Sequence, residues 1–170
     1  MDGLIEQLRR REPGAAEELH RAYYGRIRRF VQRLIGETEA DDVTQEVFLR
    51  VYRGIDAYQE RERFEAWLFT IAGNLCFDAH RRRRPRAELA DVAGGEDPAA
   101  RTERREIEEE LRAALRGLPF EQRQMFLLRE DGGLTFREIA QKLGIPLGTA
   151  LARMKYAVDA IKKRLKIDDL

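Results

Sequence analysis

The chain has 170 residues, enough for one medium domain or two small ones. Charged residues make up 37% of it at a net charge of +1, too much charge for a membrane protein and too balanced for a disordered chain. No apolar run approaches the ~20 residues of a membrane span, and MDGLIEQLRRREPG has no apolar signal segment. One cysteine, Cys76, excludes an intramolecular disulfide framework. The expectation is a cytoplasmic chain with no membrane segment of its own. His20, His80 and Cys76 are too few for a zinc site, so no metal and no cofactor is expected.

The distribution of charge says more than its sum. Residues 1–86 carry a net +2, residues 87–110 a net −6 and residues 111–170 a net +5. An acidic middle thus separates a mixed-charge front from a basic back, which suits nucleic acid but is also what a solvated surface looks like.

Every strong periodicity is helical. Residues 15–35 space Leu19, Tyr23, Ile27, Phe30, Val31 and Leu34 by threes and fours, and Gly36 stops that helix. Thr38 and Asp41 resemble a capping box for a second helix to about Arg53, with Val43, Val47, Phe48 and Val51 as its core stripe. The polar DAYQERER reads as a loop. A third helix is predicted from Phe64 to Arg82, with Trp67, Leu68, Ile71, Leu75 and Phe77 apolar, ending in the run Arg81 to Arg84 and Pro85. Residues 86–104 hold Gly94, Gly95, Pro98 and scattered acids without an apolar period, the pattern of a flexible linker. Helix resumes near Glu106 and breaks at Pro119. Another covers Glu121 to Arg129. A short one, boxed by Thr135 and Glu138, ends at Gly144, and a last one opens at Pro146 with Met154, Val158, Ile161 and Leu165 as its stripe. The expected fold is all-α: two small bundles, residues 1–86 and 105–170, joined by a linker at 87–104, each burying its stripes within its own bundle.

TFREIAQKLGIPLGTALARMKYA fits a helix-turn-helix. Ala140 is small where the second helix must cross, Gly144 tolerates the positive φ of the turn, and Ile139, Leu143 and Ile145 pack beneath. The second helix would present Thr149, Leu151, Ala152, Arg153, Lys155 and Tyr156 outward, toward a major groove. Lys162, Lys163, Arg164 and Lys166 would meet phosphates. Two packed helices with a solvated basic face would produce the same pattern.

Two N-terminal segments are unusual for a plain bundle. In DDVTQEVFLRVY, Asp42, Gln45, Glu46 and Leu49 lie opposite the core stripe, and an exposed leucine among acids and amides suits a partner surface as well as an ordinary acidic face. RFEAWLFTIAGNLCFDAHRRRR joins aromatics, Asn74 and an arginine cluster, a combination that suits unstacked single-stranded bases. Trp67 and Phe77 at helical spacing are equally readable as core.

Together the halves resemble the sigma-seventy family in its extracytoplasmic-function type. AAEELHRAYYGRIRRFVQRLIG, DDVTQEVFLRVY and FEAWLFTIAGNLCFDAHRRRR, within residues 15–84, are similar to region two. LRGLPFEQRQMFLLRE, LTFREIAQKLGI and GTALARMKYAVDAIKKRL, within residues 105–165, are similar to region four. The resemblance implies a sigma factor that binds core RNA polymerase and promoter DNA and does no chemistry itself, so no catalytic residue is expected. It assigns polymerase docking to Asp42, Val43, Gln45, Glu46, Phe48 and Leu49. It assigns the minus-ten element to Tyr58, Arg61, Arg63, Phe64, Trp67, Asn74, Arg81 and Arg82, the loop from Tyr58 to Arg63 capturing a flipped base. The minus-thirty-five duplex falls to Arg137, Thr149, Leu151, Ala152, Arg153, Lys155 and Tyr156. An anti-sigma factor is implied by the resemblance alone.

Several positions depart from the family pattern. Gly73 stands where an arginine is usual; glycine costs about 1 kcal/mol inside a helix and brings no phosphate contact. Thr70 stands where a basic residue is frequent, and Leu151-Ala152 replaces a basic residue and a serine, moving readout toward Arg153, Lys155, Tyr156 or DNA shape. The alternative is a stand-alone helix-turn-helix regulator. It leaves the acidic helix face and the Asn74 segment unused and requires a dimer interface for paired half-sites. No HExxH, Walker loop or GxSxG elbow supports an enzyme. Whether the two modules pack together is left open by the sequence.

Overall fold

The computed structural model describes residues 2–59, 63–83 and 103–166, and among them finds eight α-helices and no strand. The N-terminal group is α1 (Asp2–Arg9), α2 (Ala15–Ile35), α3 (Ala40–Gly54), a 3-10 turn (Ile55–Ala57) and α4 (Phe64–Arg83). All six stripe residues of α2 are buried, and Gly36 at φ +88° ends the helix as expected. Helix α1 was not anticipated. Its Leu4, Ile5 and Leu8, spaced for one helical face, are buried where it packs against α2 and the 3-10 turn. The Thr38–Asp41 box does not form: α3 starts at Ala40 after an N-cap Glu39 that makes no side-chain cap bond. Asp41 instead accepts from Arg28 Nε at 2.7 Å and from the Tyr24 hydroxyl at 3.2 Å. A charge-assisted bond to a guanidinium outcompetes a cap bond.

Helix α4 departs most from its expected stripe. Leu68 and Leu75 are buried and Trp67 and Ile71 half-buried, but Phe77 is 37% exposed. Phe64, Phe69, Ala72, Gly73, Cys76 and Ala79 are buried instead. The reason is that α4 packs on α2 and α3 and also on a C-terminal helix. A helix covered on several sides has no polar face for a periodicity to reveal. Phe69 meets Phe30 edge-on at 5.2 Å near the centre of this packing.

The C-terminal group is α5 (Glu103–Arg116), α6 (Phe120–Glu130), α7 (Phe136–Leu143) and α8 (Leu147–Leu165). Helix α5 begins three residues before the expected start at Glu106, and Pro119 caps α6 where a break was expected. In α8 the expected Ile161 is buried while Met154, Val158 and Leu165 are half-buried. Ala150 and Ala157 are fully buried, because α8 lies against α5, α6 and α7 together and small residues permit that approach.

The expectation that each bundle buries its stripes alone is corrected. Helix α6 packs on both α2 and α4, and the buried side chains of the two groups form one continuous apolar core. Leu128 of α6 lies on Gly73 of α4, where an added Cβ would stand 3.3 Å from Leu128 Cδ2. Gly132 lies on Phe69, with 3.1 Å between the position of its missing Cβ and the Phe69 Cβ. The linker expected at 87–104 lies, but for its last two residues, outside the described residues.

Candidate polymerase and promoter surfaces

The outer face of α3 carries the first candidate group. Asp42 and Gln45 are exposed and Leu49 is 48% exposed. Glu46 is half-buried and paired with Arg50 one turn on, at 2.9 Å. Val43 is buried and Phe48 half-buried, its ring 5.0 Å from His20 and 6.3 Å from Tyr24. The six residues therefore divide: Val43 and Phe48 anchor the helix, Asp42, Gln45 and Leu49 face outward, and Glu46 lies between, held by Arg50. Tyr52, three positions after Leu49, is also exposed, with the Arg11 guanidinium 4.6 Å over its ring. It prolongs the apolar strip that Leu49 starts. The spacing Leu-x-x-Tyr held that signal, but the sequence reading ended at Leu49.

The second group centres on the start of α4. Tyr58 and Phe64 are buried. With Trp67 and Tyr23 they form an aromatic cluster: 5.6 Å from Tyr58 to Phe64, 5.8 Å from Phe64 to Trp67, 5.7 Å from Tyr23 to Phe64. Only Trp67 keeps partial exposure, and it borders an open cleft of about 280 Å³ with Ala57, Tyr58, Gln59 and Lys142. Phe64 and Tyr58 thus set the position of the indole rather than offering their own faces. Arg26 fixes the helix start by a two-pronged contact with Glu65, at 2.7 and 3.1 Å. Those bonds hold the Glu65 carboxyl below its ordinary range against the desolvation of partial burial. Asn74, Arg81 and Arg82 are exposed, whereas Arg83 is turned inward onto Glu39 and the Ile35 carbonyl. Arg63 reaches the C-terminal group, donating to the Gly133 carbonyl at 2.8 Å and to Glu138 Oε2 at 3.2 Å. Arg61 lies outside the described residues. Burial raises the Cys76 thiol pKa far above its ordinary value, so it stays a neutral core residue rather than a nucleophile.

The third group is built by α7 and α8. Thr135 accepts from the Glu138 amide at 3.2 Å, and Glu138 returns a bond to the Thr135 amide at 2.6 Å, the reciprocal box read from the sequence. Despite the desolvation it suffers, Glu138 is held below its ordinary pKa by these bonds and by Arg63. Gly144 ends α7 at φ +64°, a conformation costly for any residue with a Cβ. Ala140 is buried beneath the crossing helix, with Ile139, and Leu143 and Ile145 pack against the core. Along α8, Leu151, Ala152, Lys155 and Tyr156 are exposed, the last at 61%, while Thr149 and Arg153 are half-buried. Arg137 is exposed at the start of α7. Leu147, one turn before Leu151, is exposed too and was missed; its apolar type gave no reason to place it outward.

These features define a two-module helical protein ending in a helix-turn-helix. Residues 19–86 match the family model for Sigma-70 region 2, and residues 108–160 match that for Sigma-70, region 4. The chain is 29% identical to the ECF RNA polymerase sigma factor SigW of Bacillus subtilis, over 95% of each chain. It is 38% identical to the ECF RNA polymerase sigma factor SigE of Mycolicibacterium smegmatis, over 81% of this chain and 56% of that one. It is 32% identical to the RNA polymerase sigma-H factor of Pseudomonas aeruginosa, over 96% and 92%. The fold is similar to that of the sigma factor RpoE, solved with the anti-sigma factor NepR from Bartonella quintana, at a TM-score of 0.75, 21% identity and coverage of 92% and 99%. It is also similar to CnrH, solved with the cytosolic domain of CnrY, at a TM-score of 0.67, 23% identity and coverage of 98% and 97%. The chain belongs to the sigma-70 family and is an RNA polymerase sigma factor of the ECF type.

Proposed function

We propose that the chain divides promoter-specific initiation between its two helical groups. Residues 1–86 dock on core RNA polymerase through Asp42, Gln45, Leu49 and the adjoining Tyr52, and open the minus-ten element with Trp67, Asn74, Arg81 and Arg82. Residues 105–170 hold the minus-thirty-five duplex through Arg137, Lys155, Tyr156 and the half-buried Arg153. The residues between, 87–104, join the two. Two weak sites on one chain gain affinity through effective concentration, so neither needs to grip DNA tightly alone. The net charge of +1 supports that reading, since non-specific DNA affinity rises with the phosphates neutralised.

The observation that carries the proposal is the coexistence, in one chain, of the exposed Leu49–Tyr52 strip among acids on α3 and a helix-turn-helix with outward Lys155 and Tyr156. A stand-alone operator-binding regulator uses the second and has no need of the first. The chain acts in the cytoplasm as a non-enzymatic subunit, the polymerase making the bonds. Its regulator is an anti-sigma factor, the partner class named for RpoE. Run-off transcription with purified core polymerase and a promoter library tests the proposal. The expected result is template-selective transcripts that depend on the added chain. No stimulation on any template, or tight operator binding by the free chain in a gel shift, refutes it.

A further inference from the structure

The outward face of the first turns of α8 is apolar. Leu147 and Leu151, one turn apart, are 39% and 46% exposed, and Ala152 beside them is exposed too. Gly148 carries no side chain, and Thr149 and Arg153 are half-buried, so the first exposed side chain of α8 with a polar group is Lys155. The inward face is occupied by packing, with Ala150 and Ala157 fully buried. The exit angle from α7 is fixed by Gly144 at φ +64° and by the Ile145 amide, which donates to the Ala140 carbonyl at 3.0 Å. No acidic residue stands in the first turn of α8, while Arg137, Lys155, Lys163 and Arg164 are exposed on the same two helices. The strip on α3 has the opposite setting, with Asp42 and Gln45 around Leu49. Charge complementarity therefore favours a polyanion, not a second protein surface, as what covers the leucines of α8.

We propose, resting on the sigma-factor reading, that Leu147 and Leu151 read the C5-methyl groups of thymines in the minus-thirty-five element and so help to set which promoters this chain selects. In a helix-turn-helix the N-terminal residues of the second helix lie nearest the base edges. A side chain with no donor or acceptor cannot use the hydrogen-bonding code of the major groove. What it can cover is the thymine methyl, which thymine alone of the four bases presents there. The spacing agrees. One helical turn separates the two leucines by about 6 Å along the axis, close to two base steps of about 3.4 Å each. The leucines therefore address base pairs within about two steps of each other. Exposed Arg137 and Lys155 supply phosphate contacts that hold the helix in register but carry no sequence information. The discrimination is graded: covering one methyl strengthens binding about fourfold.

Deoxyuridine provides the test, because it is thymine without the methyl and keeps every hydrogen-bonding group on the base edge. Promoters selected by run-off transcription from a library, with the full chain and core polymerase, are remade as synthetic duplexes. Each minus-thirty-five thymine, on either strand, is replaced in turn by deoxyuridine, and competition binding to the holoenzyme gives the affinity. One or two of these replacements should each weaken binding about fourfold, and replacements in the spacer between the two elements should not. With Leu147→Ala or Leu151→Ala in the holoenzyme, one of the penalties should vanish, so that thymine and deoxyuridine bind alike at that position. Lys155→Ala should weaken both duplexes equally and keep the fourfold ratio; a lost ratio assigns the discrimination to Lys155 and overturns the proposal. So does a wild-type holoenzyme for which no replacement weakens binding by twofold, a measurement that needs no variant to fold. Penalties that persist in both leucine variants also overturn it, since the methyl then acts through DNA shape. A library that yields no transcript counts against the sigma-factor reading, whereas selected promoters indifferent to deoxyuridine count against the thymine contact alone.

Discussion

Truncating Leu49 is the sharpest test of the docking face. The side chain is 48% exposed, so about half of its surface remains to be covered by a partner. Full burial of a leucine stabilises by about 1.5–3 kcal/mol, and half of that is roughly 0.75–1.5 kcal/mol. Leu49→Ala should therefore weaken core polymerase binding about three- to tenfold, one decade being about 1.4 kcal/mol. The half already covered within the chain is deleted as well, so the fold should lose a comparable roughly 0.75–1.5 kcal/mol, which leaves the chain folded. Fluorescence anisotropy of the labelled chain against core polymerase gives the affinity, and thermal unfolding supplies the stability control. Ile107→Ala, an equally apolar truncation at a 59% exposed residue of α5, should leave the affinity unchanged. A Leu49→Ala chain that binds core within twofold of the wild type refutes the assignment. So does an equal loss with Ile107→Ala, which would mean that any exposed apolar residue contributes.

Three further outcomes follow from the same geometry. Thr135→Ala removes the reciprocal box at the start of α7 and should destabilise by about 1 kcal/mol, lowering the melting temperature by about 2–4 °C; an unchanged melting curve refutes the energetic role of the box. Lys155→Ala should leave thermal unfolding unchanged while reducing the slope of log affinity against log salt on minus-thirty-five duplex by about 0.9, and an unaltered slope removes Lys155 from the phosphate contacts. Glu65 is held below the ordinary carboxylate range chiefly by its bonds from Arg26. Its contribution is thus present above the ordinary carboxylate pKa and lost as pH falls through the depressed value. Thermal unfolding of Glu65→Gln should accordingly show a shallower acid decline than the wild type, and parallel declines refute the linkage.

Helices with one wet face were legible in the sequence. The stripe from Leu19 to Leu34 and the glycine stop at Gly36 predicted α2 to its last residue, and Thr135, Glu138 and Gly144 predicted both ends of α7. These are local signals: apolar spacing and caps act within a few residues, so neighbours in sequence suffice to read them. The exposed face of α3 was legible for the same reason, because Leu49 stands out against Asp42 and Gln45 on one helix. Tyr52, three positions after Leu49 on the same face, carried the same local signal and was passed over, whereas nothing local to Leu147 distinguishes an outward apolar residue from an inward one.

What only the tertiary structure decided is where several elements meet. The Thr38 box gave way because Arg28 and Tyr24, distant in sequence, claim Asp41. The stripe of α4 was misread because α6 covers a side that α2 and α3 leave open, turning Gly73 and Phe69 inward and leaving Phe77 half in water. By itself the sequence determined a helical sigma factor and the residue types at its surfaces, since periodicity, caps and motif spacing are properties of the chain. The fold decided that its two groups share one core through Gly73, Gln124 and Leu128, because contacts between residues about 50 positions apart depend on the close approach of backbones, which a glycine permits and a local pattern does not encode.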